Sequence, residues 1–196
     1  SHPNPISVDQ IVKIADYLPK IKEKMGKKFE EYKFIVTGAV PNGALYYLKK
    51  KKINQLNNFY IYVDKELIIN FLKKERLFDD VINSEPLKSF NLLGSKDYES
   101  FYSLLGKSSA NMFFSDKGFG FKNKSLEAFY TKNKLILPKN LAERFPKPLQ
   151  KIIEKYKSVE DIISILSNLN QEDYTDIDIN NELRKDSFSS YDKTFV

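Results

Sequence analysis

The sequence contains no cysteine and no tryptophan, and its one histidine is His2. Without cysteine there is no disulfide scaffold, no thiolate zinc site and no cysteine nucleophile. Ser1-His2 reads as the remnant of a cleaved tag, so a histidine triad, a histidine general base and a histidine metal cluster go with it. Glycine and proline are sparse, at 7 and 8 of 196 residues, which excludes collagen-like chains and Gly/Pro-rich low-complexity chains. No apolar run approaches the roughly 20 residues of a membrane-spanning helix. The composition implies a soluble, cytoplasmic chain whose partner is easier to name by class than any reaction.

Charge is what the chain has in quantity. It carries 32 Lys and Arg against 26 Asp and Glu, a formal net charge of +6. Residues 172–196 hold seven carboxylates against three cations, a net −4, which leaves +10 on residues 1–171. Residues 107–151 alone hold ten cations against Asp116, Glu127 and Glu143. A basic body with an acidic tail suits a polyanion partner. The competing reading is a lysine-rich composition set by an AT-rich genome, consistent with abundant Asn, Tyr and Phe.

Hydrophobic spacing predicts a helix over 8–28, capped by Ser7 and divided at Pro19. A strand is expected at 33–40, with Pro41-Asn42-Gly43 turning into a hairpin partner at 44–48. The run 49–52 then lies at the hairpin's open end. Further strands are expected at 59–63, 111–115, 126–130 and 135–137, and 67–72 is compatible with strand or helix. Asp116-Lys117-Gly118 reads as a hairpin turn. A helix at 97–105 should stop at Gly106. After Pro138 the period lengthens, predicting helices at 141–145, 149–156 and 159–169, the last capped by Ser158 with Asp161 three residues on. The expected fold class is α+β: short antiparallel strands in a partly closed barrel, flanked by N- and C-terminal helices. A mixed sandwich is the alternative layout. Residues 3–171 are read as one basic domain and 172–196 as an acidic tail or linker to a following domain.

Catalytic patterns are fragmentary. Gly106-Lys107-Ser108 ends like a phosphate-binding loop, but Phe101 stands where the first glycine belongs. Asp16, Glu31 and Lys33, or Asp79, Asp80 and Glu85, are the residues open to a metal-dependent nuclease. No cofactor is implied, and the chain is expected to hydrolyse neither nucleotide nor DNA. Cations and amides cluster instead between 112 and 144. Lys117, Lys122, Lys124, Lys132, Lys134 and Lys139 fall at turns or strand ends, where they can meet phosphates. Asn123, Asn133 and Asn140 are amides able to pair with a base edge. Asn140 and Arg144, four apart, share one helical face, while Leu141, Ala142 and Phe145 define the buried one. About five phosphate contacts would give a salt slope near −4.5.

The segment Leu135-Ile136-Leu137-Pro138-Lys139-Asn140-Leu141-Ala142-Glu143-Arg144-Phe145-Pro146 resembles a motif of the plant auxin-response-type DNA-binding pseudobarrel, which has relatives in bacterial restriction enzymes. The resemblance implies a duplex-DNA grip with Lys139 in the place of the motif lysine. In that family most barrel strands follow the motif, whereas here they would precede it. Residues 189–196, Ser-Ser-Tyr-Asp-Lys-Thr-Phe-Val, resemble the lead-in to the nucleotide-binding domain of McrB-type restriction GTPases. Together these imply a double-stranded-DNA recognition module without catalysis, fused to a nucleotide-binding motor and working with a nuclease subunit in phage defence. A protein–protein adaptor is the reading from another class.

Overall fold

The computed structural model describes residues 5–37, 47–62, 91–93, 98–117, 123–131 and 133–169. The chain divides into two compact units, Ser1–Phe101 and Tyr102–Val196.

In the first unit, helix α1 (Pro5–Met25) starts before Ser7, with proline suited to a first helical turn. Ile11, Ile14, Ala15, Leu18 and Ile21 form its buried stripe. Pro19 does not divide the helix. It lies on the exposed side, so the lost hydrogen bond faces water while the stripe holds both halves. A 3-10 turn, Gly26–Glu31, follows, entered through Gly26 at φ +57°. Its buried Phe29 stacks on Phe34 with centroids 4.9 Å apart. Strands β1 (Phe34–Thr37), β2 (Phe59–Tyr62) and β3 (Asn91–Leu93) form a sheet in that order, and both pairings are parallel. Asn58 stitches the turn to β2, its Nδ2 donating to the carbonyls of Phe29 at 2.9 Å and Tyr32 at 2.8 Å. Residues 47–50 are helical, so the expected hairpin partner of β1 and the open hairpin end at 49–52 are both overturned. β1 takes its partner from β2 instead.

The second unit repeats the pattern. Helix α2 (Tyr98–Lys107) crosses the division between units and runs through Gly106. Gly106 is no stop because its φ is not in the left-handed region. The helix ends one residue later, where the Ser108 hydroxyl donates to the Leu105 carbonyl at 2.7 Å. Then follow β4 (Ala110–Met112), α3 (Asn123–Tyr130), β5 (Lys134–Pro138), α4 (Lys139–Ala142), α5 (Lys147–Gln150), β6 (Ile153–Tyr156) and α6 (Val159–Ser167). The sheet order is β4-β5-β6, all parallel. In this unit each strand-to-strand connection carries helix, α3 between β4 and β5 and α4 and α5 between β5 and β6, as parallel neighbours require.

The barrel of antiparallel strands is therefore overturned: the described strands form two small all-parallel sheets. The hairpin expected at Asp116-Lys117-Gly118, continued by 119–121, lies partly outside the described residues; on its described side β4 pairs in parallel with β5. Two local expectations fall with the barrel. Residues 126–130 belong to helix α3. Residues 149–156 are not one helix but the end of α5 and strand β6. The expectations at 38–46, 67–72 and 172–196 lie outside the described residues.

Burial explains the second sheet. Leu135, Ile136, Leu137 and Pro138 are all buried, so β5 is covered on both faces. A central parallel strand reads as a continuous apolar run for this reason. Leu135 and Leu137 share one core cluster with Ala128 and Phe129 of α3, Leu141 and Ala142 of α4, Phe145, Leu149 and Ile153. Phe129 and Phe145 meet edge to face at 5.6 Å. On β6 the Tyr156 hydroxyl reaches past β5 and donates to the Phe113 carbonyl at 2.8 Å.

Helix α6 begins as expected. Ser158 and Asp161 form a reciprocal capping box. The Asp161 carboxylate accepts from the backbone N–H of Lys157 at 2.7 Å and of Ser158 at 3.0 Å, and these bonds hold its pKa below the usual carboxylate value. A depressed folded-state pKa stabilises the fold above the unfolded value and loses that contribution as pH falls through the folded one. Helicity should therefore carry an acid-labile component below about pH 3.8, absent from Asp161→Asn in a circular-dichroism pH titration. Superimposable profiles would remove the cap's charge from the stability of α6.

Candidate nucleic-acid interface

The residues proposed from sequence meet different fates. Lys122 and Lys132 lie outside the described residues, and the side chains of Asn123 and Lys124 do as well. Lys134 pairs across the sheet with Glu154 at 3.8 Å. Lys139 does not project from a barrel tip; it opens α4 and pairs with Glu143 at 3.4 Å. Lys117 is exposed, and its backbone N–H donates to the Ser115 hydroxyl at 3.3 Å. Asn140 and Arg144 do share a face, but that face turns to Asp116. Asn140 Nδ2 donates to the Asp116 carboxylate, and an Arg144 guanidinium N–H donates to its carbonyl, each at 3.3 Å. Asn133 is buried and serves the fold. Its Nδ2 donates to the carbonyls of Leu105 and Ser108 and to the Ser108 hydroxyl, fixing the end of α2 against the start of β5.

Lys117, Lys139, Asn140 and Arg144 are thus brought together, beyond the carboxyl ends of β4 and β5. Open parallel sheets place ligands at this edge. Here, however, Asp116 and Glu143 already engage three of the four side chains. The start of α6, beyond β6, is filled by the Asp161 carboxylate. Among the described residues this edge sets Lys117, Lys139 and Arg144 against Asp116, Glu143 and Asp161.

The surplus charge lies one element further on. Lys147 opens α5 and Lys151 caps its end; Lys155 lies on β6 and Lys157 just beyond it. All four are exposed. Among the described residues none of their ammonium groups has a carboxylate within 4.0 Å, and Lys155 Nζ instead donates to Gln150 Oε1 at 3.2 Å. Lys155 lies on β6 and Lys157 one residue past its end, about 6.6 Å apart along extended chain. Lys147 and Lys151 are four apart, about 6 Å along a helical turn. β6 pairs only with β5 among the described strands, so these lysines border an open sheet edge. The candidate contact residues from sequence end at Arg144, although the basic stretch 107–151 includes Lys147 and Lys151; Lys155 and Lys157 lie beyond both. Their signal is a lysine every two to four residues from Lys147 to Lys157.

Of the acids in the nuclease alternative, Asp79, Asp80 and Glu85 lie outside the described residues, and Asp16 is engaged elsewhere. Asp16 accepts from Lys51 at 2.8 Å and from the Tyr47 hydroxyl at 3.2 Å, tying α1 to the helical turn at 47–50. The hydrogen bond to Asp16 raises the Lys51 pKa, and the charge on Asp16 adds to it. Among the described residues no group of three or more acidic, histidine or cysteine side chains is placed to hold a metal, and no helix is long and apolar enough to cross a membrane. No family model, no curated protein and no solved structure matches the chain.

Proposed function

We propose that the chain binds duplex DNA, with the lysine face of α5 and β6 as its contact surface, and that it does no chemistry of its own. The observation that carries this reading is the set of four exposed lysines, Lys147, Lys151, Lys155 and Lys157, whose ammonium groups form no ion pair within 4.0 Å among the described residues, although the charge of Asp161 is felt at Lys157. The +10 balance of residues 1–171 supports it. Cations already paired within the protein gain little from a phosphate, whereas unpaired ones release the counterions condensed on DNA. A restriction assembly of the McrB type is the setting in which such a module would serve. That part rests on residues 189–196, which lie outside the described residues.

Four phosphate contacts give a slope of about −3.6 in log affinity against log salt, or about 150-fold weaker binding on going from about 50 to 200 mM salt. Fluorescence anisotropy with a labelled duplex measures this directly. A change below about threefold, or no binding at the lower salt, would exclude the reading.

A further inference from the structure

We infer that this surface contacts the phosphate backbone alone and is blind to base sequence, an inference that rests on the duplex-DNA reading above. Base edges are read chiefly by planar side chains, the Arg fork on guanine and the Asn or Gln amide on adenine; Lys also reaches guanine, but as a rotatable point charge without a planar fork to fix it. In residues 102–169, every such fork or amide that the structure describes is committed or hidden. Gln150, the one amide within the lysine face, donates to the carbonyls of Glu143 at 3.2 Å and Phe145 at 2.7 Å, and its oxygen accepts from Lys155. Asn140 and Arg144 are turned to Asp116. Asn133 is buried, and the Asn111 amide nitrogen is buried too. Asn168 donates to the Ser164 carbonyl at 3.0 Å.

The rest of the described face offers no further amide or guanidinium. Glu154 pairs with Lys134. The Tyr156 hydroxyl is spent on Phe113, and Leu149 and Ile153 are core residues. What projects is four ammonium groups, each a compact point charge with rotatable donors rather than a planar fork. Their spacings of about 6 and 6.6 Å match about two axial steps of 3.4 Å along one DNA strand. Such an array follows charge density, which every duplex shares. The family resemblance of Leu135–Pro146 implied a recognition module; of the side chains that would carry recognition, Lys139 is paired with Glu143, and Asn140 and Arg144 are bonded to Asp116.

The test uses the full chain and labelled duplexes of equal length: AT-rich, GC-rich and mixed, together with an RNA duplex. The expected result is DNA affinities within about threefold of one another, with one common salt slope. Lys155→Ala should weaken all DNA duplexes alike and lower the slope by about 0.9. Arg144→Ala and Asn140→Ala should leave the ranking unchanged. One DNA sequence bound thirtyfold more tightly, or a ranking altered by either of these two variants, overturns the inference while leaving DNA binding in place. Absence of binding to every duplex overturns the DNA reading itself. An RNA duplex bound tenfold more tightly than any DNA overturns DNA as the partner.

Discussion

Phe129→Ala should cost the second unit about 3–5 kcal/mol, the range for removing a fully buried aromatic. Phe129 is wholly inaccessible, and its ring meets Phe145 edge to face at 5.6 Å. It sits in the cluster that joins α3 to Leu135 and Leu137 of β5 and to Leu141 and Ala142 of α4. Removing the ring opens a cavity walled by three elements that the sheet holds in place, so collapse around it is limited. A unit of this size has a total stability of about 5–15 kcal/mol, and the loss is a large share of it. Phe129→Leu should cost less, since most of the volume is kept. Urea unfolding followed on the methyl resonances of Leu135 and Leu137 reports this unit rather than the whole chain. A loss under about 1 kcal/mol would show that Phe129 is not central to that core.

The largest functional effect is expected from replacing Lys147, Lys151, Lys155 and Lys157 together with glutamine. Sequence-independent DNA binding typically has a Kd of about 10⁻⁴–10⁻⁶ M at physiological salt, supplied almost wholly by phosphate neutralisation. Removing all four contacts should take the salt slope from about −3.6 towards zero and weaken binding at least 100-fold at about 50 mM salt. A matched control keeps the total charge change but moves it to the first unit: Lys20, Lys24, Lys27 and Lys28, all exposed, replaced by glutamine. If the control loses as much affinity as the quadruple variant, net charge rather than this face governs binding, and the surface assignment fails. All eight positions are solvent-exposed, where such substitutions usually change stability by less than about 0.5 kcal/mol.

Parts of this architecture are written locally and were legible. The Ser158–Asp161 cap uses two side chains three residues apart, and the helix after it shows its apolar stripe at Ile162 and Leu166. Pro138 ends β5, and Leu141, Ala142 and Phe145 are buried as their spacing implies. Strand pairing was not legible. Gly, Asn and Asp signal a change of direction, but not whether the next strand returns beside the last or arrives by way of a helix. In 126–130 the aromatic and apolar residues suggested β structure, whereas buried Ser125, Ala128 and Phe129 mark helical spacing of three and four. In 149–156 one helical spacing conceals two elements, because Leu149 and Ile153, four apart, join the same core from α5 and β6. The site was half legible. Asn140 and Arg144 share a face, as four-residue spacing requires, but sequence cannot show that Asp116, 24 and 28 residues earlier, is what that face meets.

The bond from the Tyr156 hydroxyl to the Phe113 carbonyl spans 43 residues and joins the strand on one side of β5 to the segment leaving the strand on the other. An outer strand held only by its ladder frays at low free energy and exchanges its amide hydrogens ahead of the centre. Here β6 cannot lift away without also releasing Phe113, whose own N–H donates to the Ile136 carbonyl of β5 at 3.1 Å. All three strands should therefore open as one unit, with β6 amides exchanging at the rate of β5 amides. In Tyr156→Phe the ring remains and the tether is gone, so the β6 amides should exchange first, freeing the lysine-bearing edge to move independently of the core.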